Sequence, residues 1–399
     1  MYASTTTIPR EVLRARTAVA VVFGLNGLAL SSWFARVPAA RDALELSAGQ
    51  LGLLLLTVSA GAVAALPVAG VVTHRLGASR TVAAVTVVAS AGLALAGVGA
   101  GVFGSPLLVG VGLFALGYGS GTCEVAMNVQ GAAVERRIGR TIMPRFHAAW
   151  SLGTVTGALV GAGCARADVP IGVHLAVAAV AMALGTLLAA RWFLASTSDG
   201  VTEAPRPRVL DAWRDPRVLL IGLFVLVMGF TEGAANDWLA LAFVDGHEVS
   251  EAAGAAAFGV FVVAMTVGRT TGTTALDRWG RVPVLFATML VAAAGVVIAV
   301  FSSTAAVALG GVALWGLGAS LGFPVGMSAA ADDEAVAPAR VSVVAVVGYT
   351  AFLAGPPLVG FLGDHVGILH ALLVVPLLLL PALVLLPSVR EPSAERRTT

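Results

Sequence analysis

Lysine is absent from this chain: all 24 basic side chains are arginine. Charge of either sign is scarce. Only 12% of the 399 residues are Asp, Glu, Lys or Arg, about half the share found in soluble domains, so an ordinary water-facing surface cannot be built from them. The 24 basic and 22 acidic groups leave a net charge of +2, and no nucleic-acid partner is expected. Cys123 and Cys164 are the two cysteines. They stand in separate apolar stretches without metal-ligand spacing, which excludes a disulfide framework and a zinc site and leaves two free apolar thiols. No GxxxxGK[ST] loop is present to cradle nucleotide phosphates and no HExxH to hold catalytic zinc; the six His are dispersed. ATP-driven pumping and zinc chemistry are thereby disfavoured, and neither an enzyme nor a cofactor is expected.

What fills the chain instead is apolar. Hydrophobic residues make up 58% and the mean hydropathy is +0.92, the composition of an integral membrane protein. A bilayer crossing takes roughly 20 helical residues. Twelve stretches qualify: 17–39, 49–73, 79–101, 105–130, 146–165, 170–194, 217–243, 253–275, 282–302, 304–330, 338–363 and 366–387. Their Ala, Val, Leu and Gly runs lack the two-residue alternation of a membrane barrel, and runs this long must satisfy their backbone as helices. The first span is too long for a signal-peptide core, and Arg36 occupies a region that cleavage would need neutral, so it is kept as a helix.

Arginine placement orients the chain. With the N-terminus inside, 21 of the 24 arginines fall on the cytoplasmic side, leaving Arg36, Arg41 and Arg166 outside. By the positive-inside rule both termini are cytoplasmic, in the inner (plasma) membrane. Residues 196–216 are the longest polar stretch and read as a cytoplasmic linker between a six-span half at 1–195 and another at 217–399. Two matches mark the halves as copies. Asn26 and Glu232 share a place in spans one and seven at an offset of 206, and GVVTHRLGA at 70–78 aligns with TTALDRWGR at 273–281 at an offset of 203. Such offsets describe a parallel repeat of six plus six helices.

Polar residues inside the spans mark the chemistry. Span four carries Ser120, Glu124 and Asn128 at i, i+4 and i+8 on one helix face; span seven carries Glu232, Asn236 and Asp237. Three ionised central acids facing lipid would cost roughly 9 kcal/mol. Glu124, Glu232 and Asp237 therefore face water or a cation, or hold a proton, and burial readily raises a carboxyl pKa toward neutrality. They are the proton-coupling candidates, with structural hydrogen bonding or, for Asp237 beside Trp238, an interfacial position as the other readings. Arg269 inside span eight either offsets one of these acids or snorkels to the cytoplasm; Arg36 could pair with Asp237 or with Asp42. Asn26, Trp33, Tyr118, Asn128, Trp150, Asn236, Trp315 and Phe323 offer amides and aromatic faces to a solute, packing being their other use. His147 suits a loop or gate contact. After spans four and ten follow clusters of opposite sign, Glu135, Arg136, Arg137 and Arg140 against Asp332, Asp333 and Glu334, expected to attract across the halves and help close an inner gate, two solvated loops being the other reading.

The second copy of the repeated loop, with Asp277, Arg278, Gly280 and Arg281, resembles the GxLxDRxGR loop of the major facilitator superfamily; the first copy departs from it at His74 and Ala78. NGLALSSWFARVPAARDAL at 26–44, CEVAMNVQGAAVERRIGR at 123–140, FHAAWSLGTVTGA at 146–158, EGAANDW at 232–238 and GYTAFLAGPPLVGFLGDHVG at 348–367 are similar to the MosC/YbjJ-like branch of that superfamily. The resemblance implies an all-α fold of twelve transmembrane helices in two pseudo-symmetric halves. It also implies a cavity lined by spans one, four, seven and ten, gating by the loop that holds Asp277, Arg278 and Arg281, and a sugar-like or inositol-like substrate, the branch being linked to rhizopine loci; Arg269 is a further gating candidate. The expected function is secondary active, proton-coupled transport of a small organic solute (sugar, polyol or inositol) by alternating access, by a monomer in the bilayer. Two rivals stand: a proton-antiport exporter of drugs or metabolites, and a membrane sensor that binds without transporting.

Overall fold

A computed structural model describes residues 8–138, 142–194, 209–333 and 336–391. Every regular element among them is a helix. The first half comprises α1 (Arg10–Phe34), α2 (Val37–Leu44), α3 (Ala48–Leu76), α4 (Ala78–Gly101), α5 (Pro106–Ile138), α6 (Met143–Arg166) and α7 (Ile171–Ala190). After the short α8 (Val209–Ala212) come α9 (Pro216–His247), α10 (Glu251–Trp279), α11 (Arg281–Phe301), α12 (Ala305–Ala319), α13 (Gly322–Ala330), α14 (Ala337–Val366), α15 (Ile368–Ala371) and α16 (Val374–Ala382), ending in a 3₁₀ turn at Leu383–Val389. Among the described residues, twelve helical stretches are long and apolar enough to cross a bilayer.

Prolines decide where the apolar runs break. The first span, read as one helix over 17–39, begins at Arg10 and stops at Phe34, with α2 as a separate piece. Pro38 lacks the N–H that would reach back to the Phe34 carbonyl, and its ring crowds that turn. Span ten, expected unbroken over 304–330, divides at Ser320 and Leu321 into α12 and α13; Pro324 stands four residues after Ser320 and has the same effect. Span twelve likewise splits into α15, α16 and the 3₁₀ turn, with Pro376, Pro381 and Pro387 along it. Starts are capped where sequence permits. Asp215 accepts the Arg217 N–H at 2.9 Å with Pro216 at the first position of α9, and Ser250 and Thr304 accept from Ala253 and Val307 at the heads of α10 and α12.

Contacts divide the chain into two compact units, Met1–Glu45 with Thr57–Asp199, and Leu46–Leu56 with Gly200–Thr399. The opening turns of α3 thus cluster with the second unit, where Asp364 accepts from Ser47 Oγ at 3.2 Å and from the Gly49 N–H at 3.0 Å. Within the first unit α1 packs on α6 and α7, and α4 on α5 and α7. Within the second, α9 packs on α14 and α16, and α11 on α12 and α16, the same pairing of first, third, fourth, fifth and sixth spans. Backbone conformation repeats too. Gly77 and Gly280, matched by the 203-residue offset, take φ of 80° and 78° between their helices, a conformation that a side chain disfavours. Glycine also sets the α1–α6 spacing: a Cβ on Gly153 would overlap the Gly24 carbonyl, and one on Gly157 the Leu28 carbonyl.

Candidate functional site

In the second unit, three elements converge on one cation. Arg269 of α10 places an NH2 group 2.9 Å from Glu232 Oε2 on α9. Its Nε donates at 3.3 Å to the Ser320 carbonyl, at the break between α12 and α13. That carbonyl is available because the residue four positions on is Pro324, which has no N–H to give it. Gly268 lets the Ser320 side chain approach α10, since a Cβ there would overlap Ser320 Oγ. The pair is partly open, with 18% of the Glu232 side chain and 33% of the Arg269 side chain exposed. Of the two readings open for Arg269, the structure shows an ion pair.

The other acids have different surroundings. Asp237, half-buried one turn further along α9, and Glu124, exposed on α5, make no side-chain hydrogen bond or ion pair among the described residues. Asn128 donates its amide to the Glu124 backbone carbonyl at 2.8 Å, leaving the carboxylate uninvolved. Arg36 reaches neither Asp237 nor Asp42; both its terminal nitrogens donate to the Val169 carbonyl at 3.1 Å, while Asp42 pairs with Arg41.

Candidate solute contacts fall into two groups. Asn26 is 1% exposed, beside Cys123, and neither amide atom makes a hydrogen bond of standard distance and angle with any described residue. Trp33 and Trp315 are fully buried, their indole N–H groups unpartnered, and Trp315 meets Phe261 edge-on at 5.5 Å. These three offer no accessible face in this conformation. Tyr118, Asn128, Trp150, Asn236 and Phe323 are partly exposed. Phe323 belongs to an aromatic trio with Tyr349 and Phe352 of α14, centroids 6.0–6.5 Å apart, and Phe352 lies over Gly229 and Gly233, flanking Glu232. Tyr349 and Phe352 were not singled out from sequence; their i, i+3 spacing was the available signal. His147 packs edge-on to Phe23 at 5.2 Å.

At the helix ends, three of the gating candidates, Arg281, Asp332 and Asp333, belong to a network inside the second unit. Arg281 holds both Asp332 oxygens at 2.9 and 3.0 Å and donates to Ser328, while its backbone N–H meets Glu391 at 3.2 Å. Arg217 reaches Asp332 at 3.3 Å, and Arg340 bridges Asp215 and Asp333 at 3.1 and 3.8 Å. Asp332, expected to attract Arg136 and Arg137, is therefore engaged by arginines of its own unit, and Arg137 faces Glu11 at 3.6 Å in the first. Asp277 and Arg278 are exposed, Arg278 lying over Trp279; Arg136 is exposed as well. Glu334 and Arg140 lie outside the described residues.

The sequence profile of the Major Facilitator Superfamily matches residues 19–333 and 234–399. An uncharacterized MFS-type transporter of Yersinia pestis is 32% identical over 86% of this chain and 88% of its own length. The membrane protein MosC of Rhizobium meliloti is 29% identical over 90% and 86%. Among solved structures, a bacterial homologue of the lysosomal transporter Spinster superposes with a TM-score of 0.76 at 14% identity, covering 98% of this chain and all of that one. The transporter FucP in its outward conformation gives 0.65 at 19%, covering 96% and 100%. Twelve apolar helices, a repeated six-helix pattern and these matches lead to one assignment: the chain belongs to the Major Facilitator Superfamily and is a multi-pass membrane transporter, not an enzyme.

Proposed function

We propose that the protein is a proton-coupled secondary transporter of a small, polar organic solute of the sugar, polyol or inositol class, working by alternating access in the plasma membrane with both termini cytoplasmic. The observation that carries this reading is the Glu232–Arg269 pair at the α12–α13 break. A carboxylate held by one arginine, itself anchored to a carbonyl, is a two-state element: adding a proton to Glu232 removes the charge that holds Arg269, and the freed donors can turn to a hydroxylated solute. Asn236 and the Phe323, Tyr349 and Phe352 trio supply the amide and ring faces that such a solute needs beside it. A solved structure of the same fold is named as the E. coli fucose:proton symporter and others as a nucleoside transporter, so this fold accommodates polar ring solutes and proton coupling. One proton moving down a membrane potential supplies about 2.3 kcal/mol per 100 mV, enough for about 50-fold accumulation.

Proteoliposomes test the reading. Candidate polyols, sugars and amines are offered with an imposed pH gradient, acidic on either side, so that uptake and proton-exchange export are both visible. Wild-type protein is expected to concentrate one class only when the gradient is present; Glu232→Gln is expected to exchange that solute without concentrating it. Full gradient-driven accumulation by Glu232→Gln places the coupling elsewhere, and binding without flux for every ligand found favours the sensor.

A further inference from the structure

A groove on the first unit combines basic and apolar side chains. It runs as an open hollow of about 630 Å³ between the opening turns of α1 and the last turns of α7. At one end stand Arg14 and Arg16, with Trp192 beside them; along the other run Val21, Gly185 and Leu188. An adjoining hollow of about 420 Å³ adds Arg191 and Arg137 and contains Glu11. Because a helix rises about 1.5 Å per residue, Val21 lies roughly 8–10 Å further into the span than the two arginines. Charge therefore sits towards the ends of the spans and apolar wall further into them.

The arginines are not committed to the fold. Among the described residues Arg14, Arg16 and Arg191 have no ion-pair partner, Arg14 lying instead 4.7 Å over the Trp192 ring. The matching helix of the second half behaves differently. There Arg217 donates to the Ser388 and Arg390 carbonyls and pairs with Asp332, so protein groups occupy it. Glu11, the one acid among the described residues that line the hollow, faces Arg137. A soluble anion would use the arginines and leave Val21 and Leu188, both well exposed, without an occupant. We propose that this groove binds an anionic phospholipid, its phosphate against Arg14, Arg16 and Arg191 and one acyl chain along Val21 and Leu188. Basic grooves between spans near a membrane face, rimmed by an exposed Trp, suit anionic headgroups.

Native mass spectrometry of the detergent-purified protein, titrated with phosphatidylglycerol or phosphatidylethanolamine of identical acyl chains, tests the assignment. Wild-type protein should retain phosphatidylglycerol preferentially. Arg14→Gln/Arg16→Gln/Arg191→Gln should lower that retention by about ten-fold or more. The triple Lys variant should keep most of it, and Arg75→Gln/Arg80→Gln, on exposed arginines elsewhere in the same unit, should match wild type. Excess inorganic phosphate should not displace the lipid. Equal retention of the two lipids, an unaffected Gln variant, or displacement by phosphate alone would each overturn the proposal, the last showing a soluble-anion site. If the triple Gln variant does not fold, the single Arg16→Gln and Arg191→Gln proteins decide by the same preference.

Discussion

Arg269 is the residue on which the second half's polar interior depends, because it balances Glu232 and also satisfies a carbonyl that the helix cannot. Taking away one member of a buried pair leaves the other uncompensated, at about 3–5 kcal/mol when burial is complete. With 18% and 33% of the side chains exposed, about 2 kcal/mol is the fitting magnitude here. Arg269→Gln should accordingly lower the thermal midpoint of the purified protein by several degrees, and adding Glu232→Gln should restore most of the loss, since two neutral amides no longer strand a charge. A double variant as unstable as Arg269→Gln would mean that Arg269 acts through Ser320 and not through Glu232. Sequence showed which residues were polar at mid-span but not which way they turned. Asn26 and Glu124 look alike in a hydropathy reading, yet one is buried beside Cys123 and the other is exposed. Depth follows from position along the span. Azimuth follows from packing that a single apolar helix, hydrophobic on all sides, does not encode.

The helices themselves were legible because lipid demands length and hydropathy, and twelve stretches supplied both. Their interruptions were not. Pro324 divides span ten, while Pro67 lies within continuous α3 and Pro356 and Pro357 within continuous α14, so a proline in an apolar run marks either a break or a tolerated bend depending on its neighbours. At Pro324 the break has a use, freeing the Ser320 carbonyl for Arg269 Nε. Pro324→Ala would return an N–H to that turn, draw the Ser320 carbonyl along the helix axis and turn it from Arg269. A helical Pro costs about 3 kcal/mol relative to Ala in an interior turn and less in a first turn, so this protein should melt no lower than wild type. Its gradient-driven transport should nevertheless fall several-fold. Unchanged transport together with a continuous helix would show the carbonyl to be dispensable. The aromatic trio was missed for a related reason: Phe323 and the pair Tyr349 and Phe352 are brought together by α13 packing on α14, which no local pattern announces.

At the scale of the molecule, the repeat is legible in sequence and its asymmetry explains where charge is kept. The offset that matches Gly77 to Gly280 sets Leu66 opposite Arg269, just as Asn26 stands opposite Glu232. The first half thus lacks both members of the ion pair, and the second holds both, which is the expected pattern if acid and base are useful only together. Six crossings return the chain to its starting side, so the repeated loops at Gly77 and Gly280 are expected on one membrane face, and the arginines around them predict that face to be the cytoplasmic one. Among them Arg75, Arg80, Arg278 and Arg281 flank those glycines. An arginine-rich loop left in the cytoplasm is the orientation that insertion favours. Single cysteines introduced into a Cys123→Ser/Cys164→Ser protein read this directly. Ser105→Cys, before α5, and Ala167→Cys, between α6 and α7, should react with a membrane-impermeant maleimide added to intact cells, whereas Ser79→Cys should react only after the membrane is opened. Labelling in the opposite sense would invert the protein, place the groove arginines in the outer leaflet and reverse the side from which a proton must reach Glu232 for uptake.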